Sequence, residues 1–411
     1  MSEETFVVVG GGLAGAKAAE TLRQEGFAGR VVVLGAEPDR PYDRPPLSKE
    51  FMKGAAEREK VFLHDEGWYA EQDVDLRTGT TVSAIDRSAH EVVLGDGSRQ
   101  RYDKLLIATG SEPRRLPLPG GDLDGVHYLR TLPDAERIRE ALQRQGRVVV
   151  IGAGWIGLEI SAAARHHGAE VVLVEPEPVP LSRVLGPELG GFFASVHREN
   201  GVDLRLGTGV SEIRGSGRVE AVVLSDGTAV EAADVIVGIG IAPRVALAQE
   251  AGLEVSNGIV VDELLRTADP AIWAAGDVMS AYHPMYRRRL RVEHWANALN
   301  AGPAAARSML GKGEPYDRVP YFYSDQYDVG MEYSGLAEAG QYDQVVYRGE
   351  LDKREFVAFW LSGGRVLAGM NVNVWDVTGP VQALIRSGAP VDVVRLTDQE
   401  VPLEELAASG G

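Results

Sequence analysis

The sequence predicts an α/β fold with two Rossmann-like dinucleotide-binding domains, the second inserted in the first, plus a small C-terminal α/β domain. Three observations predict it. A strand, glycine turn, helix and strand occur in that order twice, and each copy is followed by a matching hairpin-and-strand unit. From about Pro320 the texture changes to alternating strands.

The first copy is FVVVGGGLAGAKAAE, residues 6–20. A β-branched run leads into Gly10-x-Gly12-x-x-Gly15, an alanine-rich helix follows, and the strand RVVVLGAE ends at Glu37. The second copy runs from Val148 to Ile151 into Gly152-x-Gly154-x-x-Gly157, then a helix, then AEVVLVE ending at Glu175. The residue types follow from the mechanics. The first glycine makes a tight turn, the second lets the backbone approach a pyrophosphate, and the third lets helix and strand pack closely. The helix N-terminus offers N–H groups to phosphate. The closing carboxylate accepts from ribose hydroxyls.

The repeat extends further. VVLGDGSRQRYDKLLIATG ends at Gly110, VVLSDGTAVEAADVIVGIG ends at Gly240, and both carry Asp-Gly at the same offset. Each predicts a hairpin and then a buried strand ending in a glycine loop. The strand Ile272–Ala275 ends in Gly276-Asp277, a loop suited to contact a cofactor. The expected domains are residues 1–114 with 245–320, residues 115–244, and residues 321–411. In the last, FVAFWLSGGRVLAGMNVNV predicts antiparallel strands around Gly-Gly, VTGPVQALIRSG predicts a helix, and the tail 404–411 is expected to fray.

Composition narrows the function. The net charge is −18, which disfavours nucleic acid and anionic membranes as general partners. The start, MSEETFVVVGGG, has no basic region before its apolar run, so it reads as a first strand and a cytoplasmic location is expected. The chain has no cysteine, which excludes disulfides, thiolate metal sites and a cysteine redox relay. His166 and His167 are adjacent and cannot share a helix face, so no metal site is expected.

The segments GGGLAGAKAAE, RPYDRPPLSKEF, LLIATGSEPR, VVVIGAGWIGLE, AAGDV, RVEHWANA and YFYSDQYD, in that order, carry a resemblance. The chain resembles flavoprotein pyridine-nucleotide oxidoreductases of glutathione-reductase-like fold. Within them it resembles the NADH-dependent ferredoxin reductases that serve oxygenases and cytochromes P450. The resemblance implies FAD on the first unit, facing Gly10, Gly12, Ala14 and Gly15, with Glu37 on the adenosine ribose. It further implies FAD contacts from Arg44, Lys49, Val82, Ala108, Thr109, Gly110, Arg130, Gly276, Asp277 and Trp295. NAD is implied on the second unit, at Gly152, Gly154, Ile156, Gly157, Glu175, Arg183, Gly238, Ile239 and Gly240, with Glu293 orienting the nicotinamide. His294 is expected near the nicotinamide or as packing.

Glu175 points to NADH without any family, since a carboxylate there repels a 2′-phosphate. Glu159 sits in an apolar helix, where an isolated carboxylate is costly unless paired. The resemblance pairs it with Lys49 at the hydride-accepting edge of the flavin, so Lys49 and Glu159 are the catalytic candidates. Where the family often has tryptophans, this chain has Tyr321, Phe322 and Tyr323, of which Tyr323 is expected near the flavin. Without cysteines, electrons must leave directly from reduced FAD, and a [2Fe–2S] or similar ferredoxin is the expected acceptor. Arg287, Arg289 and Arg291, sharing one face of a strand, are the expected docking cations for that acidic partner. A redox sensor resembling apoptosis-inducing factor and an NADH:quinone reductase are the alternatives.

Overall fold

The computed structural model describes residues 4–408 and divides into two compact units. The first comprises residues up to Pro45, Glu57–Glu112 and Ile241–Arg318; the second comprises Pro46–Ala56, Pro113–Gly240 and Val319 onward.

The first unit is built on a parallel sheet of five strands. Thr5–Val9 lies at its centre between Arg30–Leu34 and Lys104–Ile107, with Val74–Arg77 and Ile272–Ala274 at the edges. The three inner strands are near-continuous Val, Ile and Leu, as strands covered on both faces must be. The edge strand Ile272–Ala274 returns after the long insertion and pairs with Leu105–Ile107. Helix Leu13–Gln24, eight of whose residues are buried, packs on helix Trp295–Met309.

The second unit repeats the plan. Arg147–Ile151 is the central strand, flanked by Glu170–Glu175 and Asp234–Val237, with Val202–Leu206 and Val126–Tyr128 outside them, all parallel. Both hairpins form where Asp-Gly predicts them, as Glu91–Leu94 with Arg99–Arg101 and Ala221–Leu224 with Ala229–Glu231. Asp234 is buried and anchors the sheet through His127, Arg144 and Arg218, at 2.8 to 3.0 Å. Burial alone would raise its pKa, but the hydrogen bonds and charges of His127 and Arg144 bring it below the usual carboxylate range.

The segment Pro46–Ala56, inside the expected 1–114, belongs with the second unit. It is held there by buried Phe51 and Met52: the Arg139 guanidinium lies 4.4 Å over the Phe51 ring, and His167 bonds the Met52 carbonyl at 2.8 Å.

The C-terminal part carries an antiparallel five-stranded sheet with Arg365–Val372 at its centre, paired as a hairpin with Glu355–Ser362. Helix Thr378–Ser387 covers it. The tail departs from the expectation of fraying, because Leu403–Ala408 is helical and buries Leu403 and Leu406. Residues 409–411 lie outside the described residues. No helix among the described residues is long and apolar enough to cross a membrane.

Candidate functional site

Each unit holds a glycine cradle at the carboxyl ends of its central strands. In the first, Gly10 has φ +129°, and a Cβ there would lie 2.1 Å from the Ala108 carbonyl oxygen. A Cβ on Gly15 would lie 2.0 Å from the Gly10 oxygen. These two glycines are therefore demanded by packing, and Ala14 is buried on the first turn of the helix that follows. Gly12 differs, since a Cβ there meets nothing within 4 Å and no side chain caps the helix it begins. Open space before an uncapped helix N-terminus fits a pyrophosphate.

The second cradle has the same plan. Cβ atoms on Gly152 and Gly157 would lie 2.4 Å from the Gly238 oxygen and 1.9 Å from the Gly152 oxygen, while Gly154 again faces open space without a side-chain cap. Ile156, on the first turn of the following helix, is 43% exposed although apolar. Gly238, Ile239 and Gly240 follow the strand Asp234–Val237 beside this turn, with Gly240 at φ +98°.

The two closing carboxylates are set differently. Glu37 accepts from the Tyr42 hydroxyl and pairs with Arg44 Nη2 at 2.7 Å. Burial works against the Arg44 charge, yet Tyr42, Glu37 and Asp277 hold the guanidinium above its usual range. Glu175 accepts from the backbone N–H groups of Ala153 at 2.7 Å and Glu177 at 3.1 Å, so its charge is fixed against the glycine turn. Arg183 is 84% exposed and pairs with Glu177 at 2.9 Å.

Within the first unit, Asp277 is buried in the short turn Gly276–Val278, and Gly276 takes φ +81°. Trp295 opens the helix Trp295–Met309 and donates its Nε1–H to Asp43 at 2.9 Å. His294 precedes it; burial pushes its pKa down to about 4, against the pull of Asp277. Thr109 donates to the Arg244 carbonyl at 2.9 Å, Gly110 takes φ +68°, and Val82 is buried at the start of its strand. Glu293 pairs with Arg291.

In the second unit, Lys49 and Glu159 form a buried ion pair at 2.8 Å, 6% and 3% exposed at the side chain. Ser48 donates to the other Glu159 oxygen, and Ser324 donates at 2.6 Å to the one that meets Lys49. The Tyr323 ring lies 5.3 Å from Lys49 Nζ. Phe322 points elsewhere and packs with Trp155 and Tyr333, while Tyr321 donates to Glu332 at 2.6 Å. Burial raises Asp325, beside the pair; Lys49 and Lys53 oppose that rise, and Glu50 and Glu159 add to it. Arg130 precedes the helix Leu132–Gln143 and donates its backbone N–H to Asp134 at 3.2 Å.

The arginine stripe departs from expectation. The strand covers only Arg288–Leu290, and Arg287 sits before it at φ +51°, so Arg287, Arg289 and Arg291 do not line one strand face. Arg289 donates to the carbonyls of Val261 and Ser280, and Arg291 is bound by Asn257 and Glu293. The residues that sequence reasoning passed over are Ser48, Ser324, Tyr42 and Asp43, each within two positions of a singled-out residue in its motif.

Two cradles of this kind in one chain define a reductase that pairs a resident flavin dinucleotide with a nicotinamide dinucleotide. The pyridine nucleotide-disulphide oxidoreductase family matches residues 4–302, a reductase C-terminal domain matches residues 321–407, and the chain belongs to that family. It is 40% identical to putidaredoxin reductase CamA of Pseudomonas putida, over 99% of this chain and 98% of the relative. It is 41% identical to the ferredoxin–NAD(+) reductase component of the anthranilate 1,2-dioxygenase system of Burkholderia cepacia, over 98% and 99% of the two chains. The reductase chain in the crystal structure of the covalent putidaredoxin reductase–putidaredoxin complex superposes with a TM-score of 0.94 at 40% identity, covering 100% of this chain and 99% of that one.

Proposed function

We propose that this protein is an NADH-dependent, FAD-containing ferredoxin reductase that supplies an oxygenase or cytochrome P450 system from the cytoplasm. The observation that carries the reading is the pair of open cradles at Gly12 and Gly154 in a chain without cysteine. The family's disulphide route is closed to it, so electrons pass from flavin to an external carrier. The relatives' names point to the carrier: one is a putidaredoxin reductase and the other a ferredoxin–NAD(+) reductase component.

Residues 1–114 with 245–320, apart from the segment Pro46–Ala56 that packs with the second unit, form the FAD-binding domain in this reading, residues 115–244 the NAD-binding domain, and residues 321–411 the C-terminal domain. Gly10, Gly12, Ala14, Gly15, Glu37, Arg44, Val82, Ala108, Thr109, Gly110, Arg130, Gly276, Asp277 and Trp295 hold FAD. The second cradle, with Glu175, Arg183, Gly238, Ile239, Gly240 and Glu293, holds NADH. FAD supplies the chemistry that accepts hydride from NADH and releases two electrons singly. The chain's part is to bind, orient and exclude water. Lys49, held by Glu159 away from solvent, keeps a fixed cation where negative charge develops.

The ferredoxin is of [2Fe–2S] or similar type and docks through the cations of Arg287 and Arg289, with Arg291 turned inward on Glu293. Changing Arg287 and Arg289 to alanine tests this. Ferredoxin reduction should weaken and NADH–ferricyanide activity should persist; equal loss in both assays refutes the docking site.

A further inference from the structure

A buried line of hydrogen bonds leads away from the Lys49–Glu159 pair. Behind Ser324, which donates to Glu159, Gln326 Nε2 donates to Ser324 Oγ at 3.1 Å. Gln326 Oε1 lies 2.9 Å from His197 Nε2, and the Tyr327 hydroxyl lies 3.3 Å from His197 Nδ1. Three elements contribute: helix Trp155–His166, strand Tyr321–Gln326 and helix Ser182–Glu199. Ser324 and Gln326 are two apart on the strand and so share a face. Glu159, Ser324, Gln326 and His197 are all buried, none above 3% exposed.

The directions of these bonds follow from chemistry. An ionised carboxylate only accepts, so the Ser324 hydroxyl donates its hydrogen bond to Glu159. The serine oxygen then accepts from the Gln326 amide N–H, which turns the Gln326 carbonyl toward His197. The imidazole must donate from Nε2 and, as a neutral ring, accept at Nδ1 from Tyr327. Burial pushes His197 down to about 4, against its bond to Gln326, so the ring is neutral at pH 7. Every donor points toward Glu159. An amide in the middle does not carry a proton through, so the line orients and polarises. The charged and titratable groups around it are Lys49, Glu50 and Lys53 on the preceding segment, Asp325 and Tyr323 on the strand, and Arg165 near Tyr327.

We propose that Gln326 and His197 are positioning residues for hydride transfer, holding Glu159 against Lys49 through Ser324. The inference rests on the role given above to the Lys49–Glu159 pair.

The test separates the two half-reactions in the FAD-loaded protein. Stopped-flow absorbance follows flavin bleaching by NADH and by NADH deuterated at the transferred position. A second mixing follows reoxidation of photoreduced protein by ferricyanide. Gln326→Leu should slow bleaching about tenfold, in line with a small misplacement of a catalytic group, and keep a deuterium effect. Reoxidation by ferricyanide should not change. His197→Asn keeps an amide donor for Gln326 and should recover most of the rate, whereas His197→Phe should not; this pair carries the test if Gln326→Leu does not fold. In a Glu159→Gln background, Gln326→Leu should add little, because both act through one group. Normal bleaching in Gln326→Leu and His197→Phe, beside slow bleaching in Glu159→Gln, overturns the positioning role alone. Equal slowing of both half-reactions also overturns it. Normal bleaching in Glu159→Gln overturns the role of the pair, and this inference with it.

Discussion

Alanine at Gly154 and alanine at Gly157 should have opposite consequences although both remove a glycine from the same turn. At Gly154, φ is −77° and a Cβ meets nothing within 4 Å, so the native backbone accepts alanine and stability should change by less than about 1 kcal/mol. The added methyl instead occupies the space from which a pyrophosphate would reach the helix N-terminus. We expect NADH to bind about 10- to 100-fold more weakly, or about 1.4 to 2.7 kcal/mol. At Gly157 the Cβ would sit 1.9 Å from the Gly152 oxygen, a backbone atom that cannot turn aside. That variant should lose about 3 kcal/mol or more through displaced backbone. Thermal unfolding followed by circular dichroism reads stability, and anaerobic NADH titration reads affinity. Unweakened NADH binding in Gly154→Ala, with the fold intact, would refute the assignment of the open cradle to the dinucleotide.

Three further outcomes follow from the same geometry. Glu175→Arg removes a carboxylate held by two backbone N–H groups and places a cation at the strand end, so the ratio of NADPH to NADH efficiency should rise at least about tenfold; steady-state kinetics with both nucleotides would expose an unchanged ratio. Asp234→Ala leaves His127, Arg144 and Arg218 without their shared partner; because both arginines reach solvent, the loss should be about 2 kcal/mol, below that of a fully buried pair, and visible as a drop of about 4–8 °C in the unfolding midpoint. His197 is held near pKa 4 and titrates near 6.5 when unfolded, so it contributes stability that is complete above pH 6.5 and is lost as pH falls toward 4; urea unfolding between those pH values should show a shallower slope in His197→Asn.

What could be read from the sequence is what local sterics dictate. Gly10, Gly15, Gly152 and Gly157 are fixed by contacts a few residues away or by the neighbouring strand, so spacing alone announces them. Glu159 stood out because a carboxylate in an apolar helix needs a partner. The identity of its other partners was hidden, since Ser48 and Ser324 lie 111 and 165 residues from it along the chain. The His197–Gln326 contact spans 129 residues and leaves no periodic trace. The arginine run misled for a local reason: a strand of three residues is too short to carry the alternation, and Arg287 turns left-handed before it begins. Pro46–Ala56 lies inside the expected 1–114, but its buried Phe51 and Met52 pack in the second unit, through contacts far away in sequence.

The most direct measurement is an anaerobic titration of the purified, FAD-loaded protein with NADH, watched by absorbance, followed by addition of a [2Fe–2S] ferredoxin coupled to cytochrome c. The account predicts stoichiometric flavin bleaching and then rapid reoxidation as the ferredoxin is reduced. Bleaching followed by a persistent charge-transfer band, with no electrons reaching the ferredoxin, would contradict it and favour the redox sensor.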